Sequence, residues 1–349
     1  MKVGIIGCGR IAQTRHIPEY ADHPGTQIIG YYDFNQERAK ELAAIYGGKV
    51  YDSADALLAD REIEAVSVCT ANHTHAEITI KALRSGKHVL CEKPMAVSLE
   101  ECRAMVTAAA ENNRKLMIGQ NQRFARAHAR AKELLMEGLI GDVLTFKTTF
   151  GHGGPETWSI DSGISSWFFD IKKAAMGAMA DLGVHKTDLI QFLLGQKVVA
   201  VTAQLVTLDK RNEAGELIGV DDNAICIYEM EQGSIGTMTA SWTYYGKEDN
   251  STVLYGTKGI MKIYDDPDHS ISVTLKNGEQ IFYDIDKIQT NDNQTKSGII
   301  DAFVDALEGE REVPVSGADV LSAMEAVFAC QKSSREKQRI VIREKGEIG

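Results

Sequence analysis

Over the first 120 residues, short apolar runs alternate with segments of helical period. The runs Val3–Ile6, Gln27–Tyr32, Ala65–Cys69, His88–Cys91 and Leu116–Ile118 are nearly continuous in apolar residues, as strands buried on both faces are. Between them, Gln36–Tyr46, His75–Arg84 and Leu99–Asn112 have helical spacing, and Ser98 with Glu101 has that of a capping box. Strand–helix alternation predicts a parallel sheet with right-handed crossovers. After about residue 124 the pattern changes. A helical stretch, Ala125–Met136, leads to an alternating strand at Val143–Phe150, and a Gly-, Trp- and Ser-rich region without clear period spans 151–176. Asp181–Leu194 reads as one helix ended by Gly195. Residues 198–285 are rich in strands, with turn signals at Gln232-Gly233, Thr257-Lys258-Gly259 and Asn277-Gly278. Helical patterns at Ile299–Leu307 and Val320–Ser333 and a strand at Arg339–Ile342 follow. This order predicts a doubly wound α/β domain over 1–122. An α+β domain with a large, mostly antiparallel open sheet is expected over 123–349.

The 349 residues are 44% hydrophobic and 25% charged, ordinary for a globular chain long enough for two domains. Lys+Arg 38 against Asp+Glu 49 gives a formal charge of −11, which repels phosphate backbones and argues against nucleic acid as a partner. No stretch reaches the ~18 apolar residues of a membrane span. Six cysteines, Cys8, Cys69, Cys91, Cys102, Cys226 and Cys330, form no C-x-x-C pair and no zinc-type cluster with histidine. They read as small buried hydrophobes in a reducing compartment, and no metal site is expected. The few apolar residues before Cys8 are too short for a signal peptide, so a cytoplasmic location is expected.

Three constellations carry chemistry. Gly7-Cys8-Gly9-Arg10-Ile11-Ala12 follows the first strand and opens a helix, giving G-x-G-x-x-A. The first glycine permits the tight turn, and the second lets a pyrophosphate approach free backbone N–H groups at a helix start. Asp33 stands 21 residues past Ala12, at the end of the second strand, where an acid accepts from ribose hydroxyls. Phe34 and Asn35 follow, with no base to receive a 2′-phosphate, so NAD is expected over NADP. Next, Thr70–His75 and Glu92-Lys93-Pro94 place polar residues at the carboxyl ends of parallel strands, where such sheets bind ligands. Third, the run Gly177–Asp188 contains Asp181 and His185. On an α-helix these are i, i+4 neighbours. A carboxylate beside an imidazole raises its basicity and fixes its orientation, as a proton acceptor near neutral pH requires.

At these motifs the chain resembles the glucose–fructose oxidoreductase / inositol dehydrogenase / rhizopine-catabolism (Gfo/Idh/MocA) family. The resemblance runs over essentially all of it: GCGRIA at 7–12, TANHTHAE at 70–77, CEKPMA at 91–96, the G-x-x-x-D-x-x-x-H-x-x-D run at 177–188 and GTKG at 256–259. It implies an N-terminal Rossmann domain that takes NAD, contacted by Gly7, Gly9, Arg10, Ile11, Ala12 and Asp33. Thr70, Ala71, Asn72, His75 and Glu92 match positions that line the cofactor. Lys93 matches a lysine that meets both substrate and nicotinamide ribose. Asp181 and His185 match the other two catalytic positions. The resemblance also points to Gln122 and Arg123, within Gln120–Phe124, and to Trp167, among the aromatics Trp158, Phe168 and Phe169 of a variable loop, as substrate contacts. Gln122 stands where inositol dehydrogenases often carry a basic residue, which argues against inositol itself. The outer sheet face implies a homodimer or homotetramer.

The expected reaction is oxidation of a secondary hydroxyl on a sugar, sugar derivative or cyclitol. His185 takes the hydroxyl proton, Asp181 supports it, and Lys93 stabilises the developing charge on oxygen. Lys93 itself stays open as the terminal acceptor. An NAD-dependent glycosidase that oxidises its substrate transiently would use the same parts. A non-catalytic dinucleotide or sugar sensor would not need Lys93, Asp181 and His185 together.

Overall fold

In the computed structural model, strands β1 (Lys2–Ile6), β2 (Gln27–Tyr32), β3 (Lys49–Val50), β4 (Ala65–Val68), β5 (His88–Cys91) and β6 (Leu116–Ile118) form a parallel sheet. Their order is β3-β2-β1-β4-β5-β6. It reverses between β1 and β4, and the crevice beyond the carboxyl ends there is where doubly wound sheets take ligands. The structure describes residues 1–160, 163–164, 166–287 and 296–342. Apolar side chains of β1, β4 and β5 are wholly buried. Connecting helices start at side-chain caps: Asn35 accepts from Glu37 N–H, Ser53 from Ala56 N–H, and Ser98 from Glu101 N–H. Each cap satisfies a donor that the first helical turn leaves unpaired.

The chain divides into two compact units, Met1–Asn121 with Thr290–Leu321, and Gln122–Gln289 with Ser322–Gly349. The return of a late segment to the first unit corrects the expected single boundary. The helix Ile299–Glu308 buries Ile299, Ile300, Phe303 and Val304. Ser297 N–H donates to Glu19 Oε1 at 2.7 Å, and Ile118 N–H donates to the Val315 carbonyl at 3.0 Å. Long-range partners such as these leave no mark in local sequence period.

The second unit is built on β7 (Val143–Gly151), β8 (Val198–Val206), β9 (Asn223–Met230), β10 (Ile235–Ser241), β11 (Thr252–Gly256), β12 (Gly259–Ile263), β13 (Ile271–Leu275), β14 (Gln280–Tyr283) and β15 (Ile340–Val341). They form a sheet in the order β14-β13-β12-β11-β7-β10-β9-β8-β15. Among its described pairs only β7 with β10 is parallel. The three expected turns join β9 to β10, β11 to β12 and β13 to β14. The helices Arg126–Met136 and Val184–Leu194 lie in this unit, and Tyr228, Met238, Leu254 and Met261 are buried in its core. Ile225, Ile227, Ile235, Ile260 and Phe282 are exposed on the opposite face of the sheet. The region 151–176, expected without period, contains short helical turns at Pro155–Thr157, Trp167–Phe169 and Ile171–Ala174. Residues 161, 162 and 165 of that region lie outside the described set. All six cysteines are buried thiols. No helix among the described residues is long and apolar enough to cross a membrane.

Candidate active site

The carboxyl end of β1 opens into the turn Gly7–Ala12. Gly7 has φ +93°, and a Cβ there would stand 2.6 Å from the Cys69 carbonyl carbon at the end of β4, so only glycine fits. Gly9 has nothing within 4 Å of where a Cβ would stand, the bare approach that a pyrophosphate needs. Arg10 and Ile11 lead into a π-helical turn, Ala12–His16, closed by Ile17 N–H on the Ala12 carbonyl, and the α-helix Ile17–Asp22 follows. Pro18 has no N–H to give to that ladder, which suits the wider turn. Asp33 is buried at the end of β2; Oδ2 accepts from Cys8 N–H at 2.6 Å and Oδ1 from Asn35 N–H at 2.7 Å. The carboxylate is thus fixed against the glycine turn, while Phe34 beside it is 97% exposed. Bare backbone at Gly9 and a held acid beside it fit the phosphates and ribose of a dinucleotide.

At the end of β4, Thr70 Oγ1 accepts from the Thr74 hydroxyl at 2.7 Å, the Ala71 carbonyl accepts from Thr74 N–H at 2.9 Å, and the buried Asn72 opens a single 3₁₀ turn. His75 is 1% exposed. Its Nδ1 lies 2.8 Å from the Pro94 carbonyl oxygen and its Nε2 3.0 Å from that of Thr70. Burial lowers its pKa, against the pull of those two carbonyls. The ring ties the β4 loop to the segment that carries Lys93.

Glu92 is 4% exposed, with Oε1 2.9 Å from His16 Nε2. His16 Nδ1 lies 3.1 Å from Ser67 Oγ, which donates to the Tyr20 hydroxyl at 3.1 Å. Burial pushes the Glu92 carboxyl up, but His16, with Arg15 and Lys93, outweighs it and holds the pKa at about 2. Glu92 Oε2 accepts from Lys93 N–H at 3.1 Å. A charged network therefore fixes the backbone of Lys93 and links it to the helix behind the glycine turn.

In the second unit the expected single helix from Asp181 is two pieces. Met179–Gly183 is a π-helical turn, and Val184–Leu194 is α-helical. Asp181 and His185 are 5% and 6% exposed, and they sit on consecutive turns of different pitch. Asp221, 40 residues on from Asp181, launches them. Its Oδ1 and Oδ2 accept from Gly177 N–H and Met179 N–H, each at 2.8 Å, and its carbonyl accepts from Ala178 N–H at 2.8 Å. A Cβ on Gly177 would stand 2.0 Å from that carbonyl oxygen, so glycine is required. Burial raises the Asp221 pKa to about 6, against its N–H donors. The Trp242 indole N–H donates to Asp181 Oδ2 at 3.0 Å.

An aromatic series starts at His185: Phe150 at 6.1 Å between ring centroids, His152 5.8 Å from Phe150, Trp158 6.2 Å from His152 and Phe168 5.2 Å from Trp158. Trp167 stacks on Phe168 at 3.9 Å. Arg123, one of the expected substrate contacts, pairs with an acid of the helix Val184–Leu194. Its Nε and Nη2 donate to Asp188 Oδ2 and Oδ1 at 2.7 and 2.5 Å, and it lies over Phe192, bracing the helix. Gln122 is buried and donates from Nε2 to Asn250 Oδ1 at 3.2 Å. Lys186, wholly buried and lowered to about 7 by burial, donates to the Asn250 carbonyl at 2.8 Å. Sequence reasoning missed His16, Asp221, Lys186 and Trp242. "VDD" at 220–222 looks like any solvated acidic turn, and a lone tryptophan near a strand end looks like core.

Comparison with known proteins agrees with this architecture. The NAD-binding Rossmann-fold model of the Gfo/Idh/MocA oxidoreductases matches residues 1–120, and the model of their C-terminal domain matches 128–262. The chain is similar to an inositol 2-dehydrogenase of Rhizobium meliloti, 28% identical over 344 residues, covering 98% of this chain and 99% of that one. It is also similar to a levoglucosan dehydrogenase of Pseudarthrobacter phenanthrenivorans, 32% identical over 289 residues, covering 74% and 72%. A solved levoglucosan dehydrogenase in complex with NADH and levoglucosan superposes with TM-score 0.86 at 26% identity, over 99% of each chain. With an NAD-type glycine turn on a parallel sheet and an Asp/His helix turn on a mixed one, the chain belongs to the Gfo/Idh/MocA family of NAD-binding oxidoreductases.

Proposed function

We propose that the protein is an NAD-dependent dehydrogenase that oxidises a secondary hydroxyl of a sugar, sugar derivative or cyclitol. The observation that carries this reading is the buried Asp181/His185 pair, held at a π-to-α junction and continued by an aromatic series. Gly7, Gly9 and Asp33 hold the dinucleotide, which when bound supplies the hydride acceptor. His185 takes the hydroxyl proton. Asp181 orients the ring and stabilises the imidazolium that forms. Lys93 donates to the reacting oxygen and offsets its developing charge. Trp158, Trp167 and Phe168 offer aromatic faces to the C–H faces of a pyranose or cyclitol ring. The fixed Asp33 carboxylate repels a 2′-phosphate, which favours NAD over NADP.

The test is a panel of inositols, levoglucosan and free and methylated hexoses, assayed for NADH formation and again with NADP. Turnover of at least one with NAD, and weaker turnover with NADP, is expected. No reduction of NAD by any of them, or a preference for NADP, contradicts the reading. The isoleucines on the outer sheet face favour a homodimer or homotetramer. A light-scattering mass near the 38.3 kDa of one chain contradicts that part.

A further inference from the structure

We propose that Trp242 is a positioning residue of the reaction, fixing Asp181 through its indole N–H; the proposal rests on the roles given above to Asp181 and His185. Trp242 follows β10, is 0% exposed and is the largest fully buried side chain among the described residues. Its N–H reaches Asp181 Oδ2 at 3.0 Å. The ring cannot swing away. The backbone N–H of Trp242 donates to the Asp222 carbonyl at 2.8 Å, and Phe168 and Phe169 pack against the ring at 6.5 and 5.9 Å. Its Cζ3 stands 2.9 Å from where a Gly177 Cβ would be.

The anchor is itself anchored. The Asp222 carboxylate accepts from Leu208, Asp209 and Lys210 N–H groups at 2.7 to 3.1 Å. So the donor aimed at Asp181 is set by a packed strand end, not by a mobile side chain. An indole N–H does not ionise in the aqueous range and cannot turn to another acceptor, unlike a serine hydroxyl or a lysine. A buried carboxylate needs such a donor to offset part of its lost hydration. With Oδ2 held, the carboxylate plane is fixed relative to the turn that carries His185. Trp242 touches neither substrate nor cofactor in this reading and acts only through Asp181.

The alternative is a core tryptophan whose N–H merely meets a nearby acceptor. A double-mutant cycle separates the two, using NAD and whichever polyol of the panel turns over. Trp242→Phe keeps an aromatic ring but deletes the donor. It should lower kcat roughly ten- to a hundred-fold, the worth of a hydrogen bond to a charged group, and leave KM for NAD unchanged. In an Asp181→Ala background the same change should cost nothing further. Phe169→Leu, which loosens the ring without touching the N–H, should show the same pattern at smaller size, and it serves if Trp242→Phe does not fold. An equal loss from Trp242→Phe or Phe169→Leu in both backgrounds overturns the proposal while leaving the role of Asp181 intact. If Asp181→Ala itself leaves kcat unchanged, the role of Asp181 falls, and the proposal with it.

Discussion

Glu92 and Asp221 are both buried carboxylates bracing a segment that carries candidate chemistry, and they are held in opposite ways. Glu92 faces the His16 imidazole at 2.9 Å, with the cations Arg15 and Lys93 nearby, and stays far on the ionised side at about 2. Asp221 is answered by peptide N–H groups, and burial outweighs them, lifting it to about 6. Full charges can keep a buried acid ionised where two dipoles do not. The first unit therefore holds Lys93 with a network that stays charged near neutral pH. The second holds its Asp/His turn with a cap that titrates in mildly acidic solution.

The largest effects should come from the groups these braces serve. His185→Ala should cost ~10²–10⁴ in kcat/KM as a lost general base, and Lys93→Ala at least ~10² as a lost preorganised donor. Binding of NADH, followed by fluorescence, should survive in His185→Ala. Comparable losses of NADH affinity and turnover in that variant would mean a collapsed fold rather than lost chemistry.

A smaller effect separates the two carboxylates by stability. The Glu92 pKa is depressed on folding, so its contribution is fully present above the unfolded value near 4.5 and is lost as pH falls toward 2. Glu92→Gln should cost about 3 kcal/mol at pH 7 by leaving a buried charge partner uncompensated, and the cost should shrink on acidification. Urea melts from pH 7 down to pH 3 measure it. A loss that is the same at every pH would contradict the charge network.

Asp221 should slope the other way. Its folded pKa of about 6 exceeds the unfolded 3.8, so the native state binds the proton more tightly. Its stability contribution is complete below the unfolded value and is lost as pH rises through 6, by about 3 kcal/mol in all. Asp221→Asn should remove that slope between pH 4 and 6, with its smallest consequence at the acidic end, where the native aspartate is already neutral. An unaltered slope would show that the N–H donors keep Asp221 ionised after all.

The first unit was legible because its determinants are local. Near-continuous apolar runs marked β1, β2, β4, β5 and β6, Ser98 marked a helix start, and G-x-G-x-x-A marked the turn. The Asp181/His185 spacing was equally visible, but not the π-helical turn that precedes His185, since Asp221 and Trp242, which hydrogen-bond to its backbone and to Asp181, lie 40 and 61 residues beyond Asp181. Glu92 and His75 were found as polar residues at strand ends. Their inward direction was hidden because His16, Ser67 and Pro94 lie on other elements. Arg123 was visible as a cation, but its Asp188 partner is fixed only once the helix Val184–Leu194 is folded beside it.

The assignment of the proton acceptor is tested most directly by the pH dependence of kcat/KM in three proteins: wild type, His185→Ala and Lys93→Arg. If His185 is the base, the acidic limb of the wild-type profile persists in Lys93→Arg and disappears in His185→Ala. An acidic limb that survives unchanged in His185→Ala would contradict the assignment and pass the role to Lys93 or Asp181.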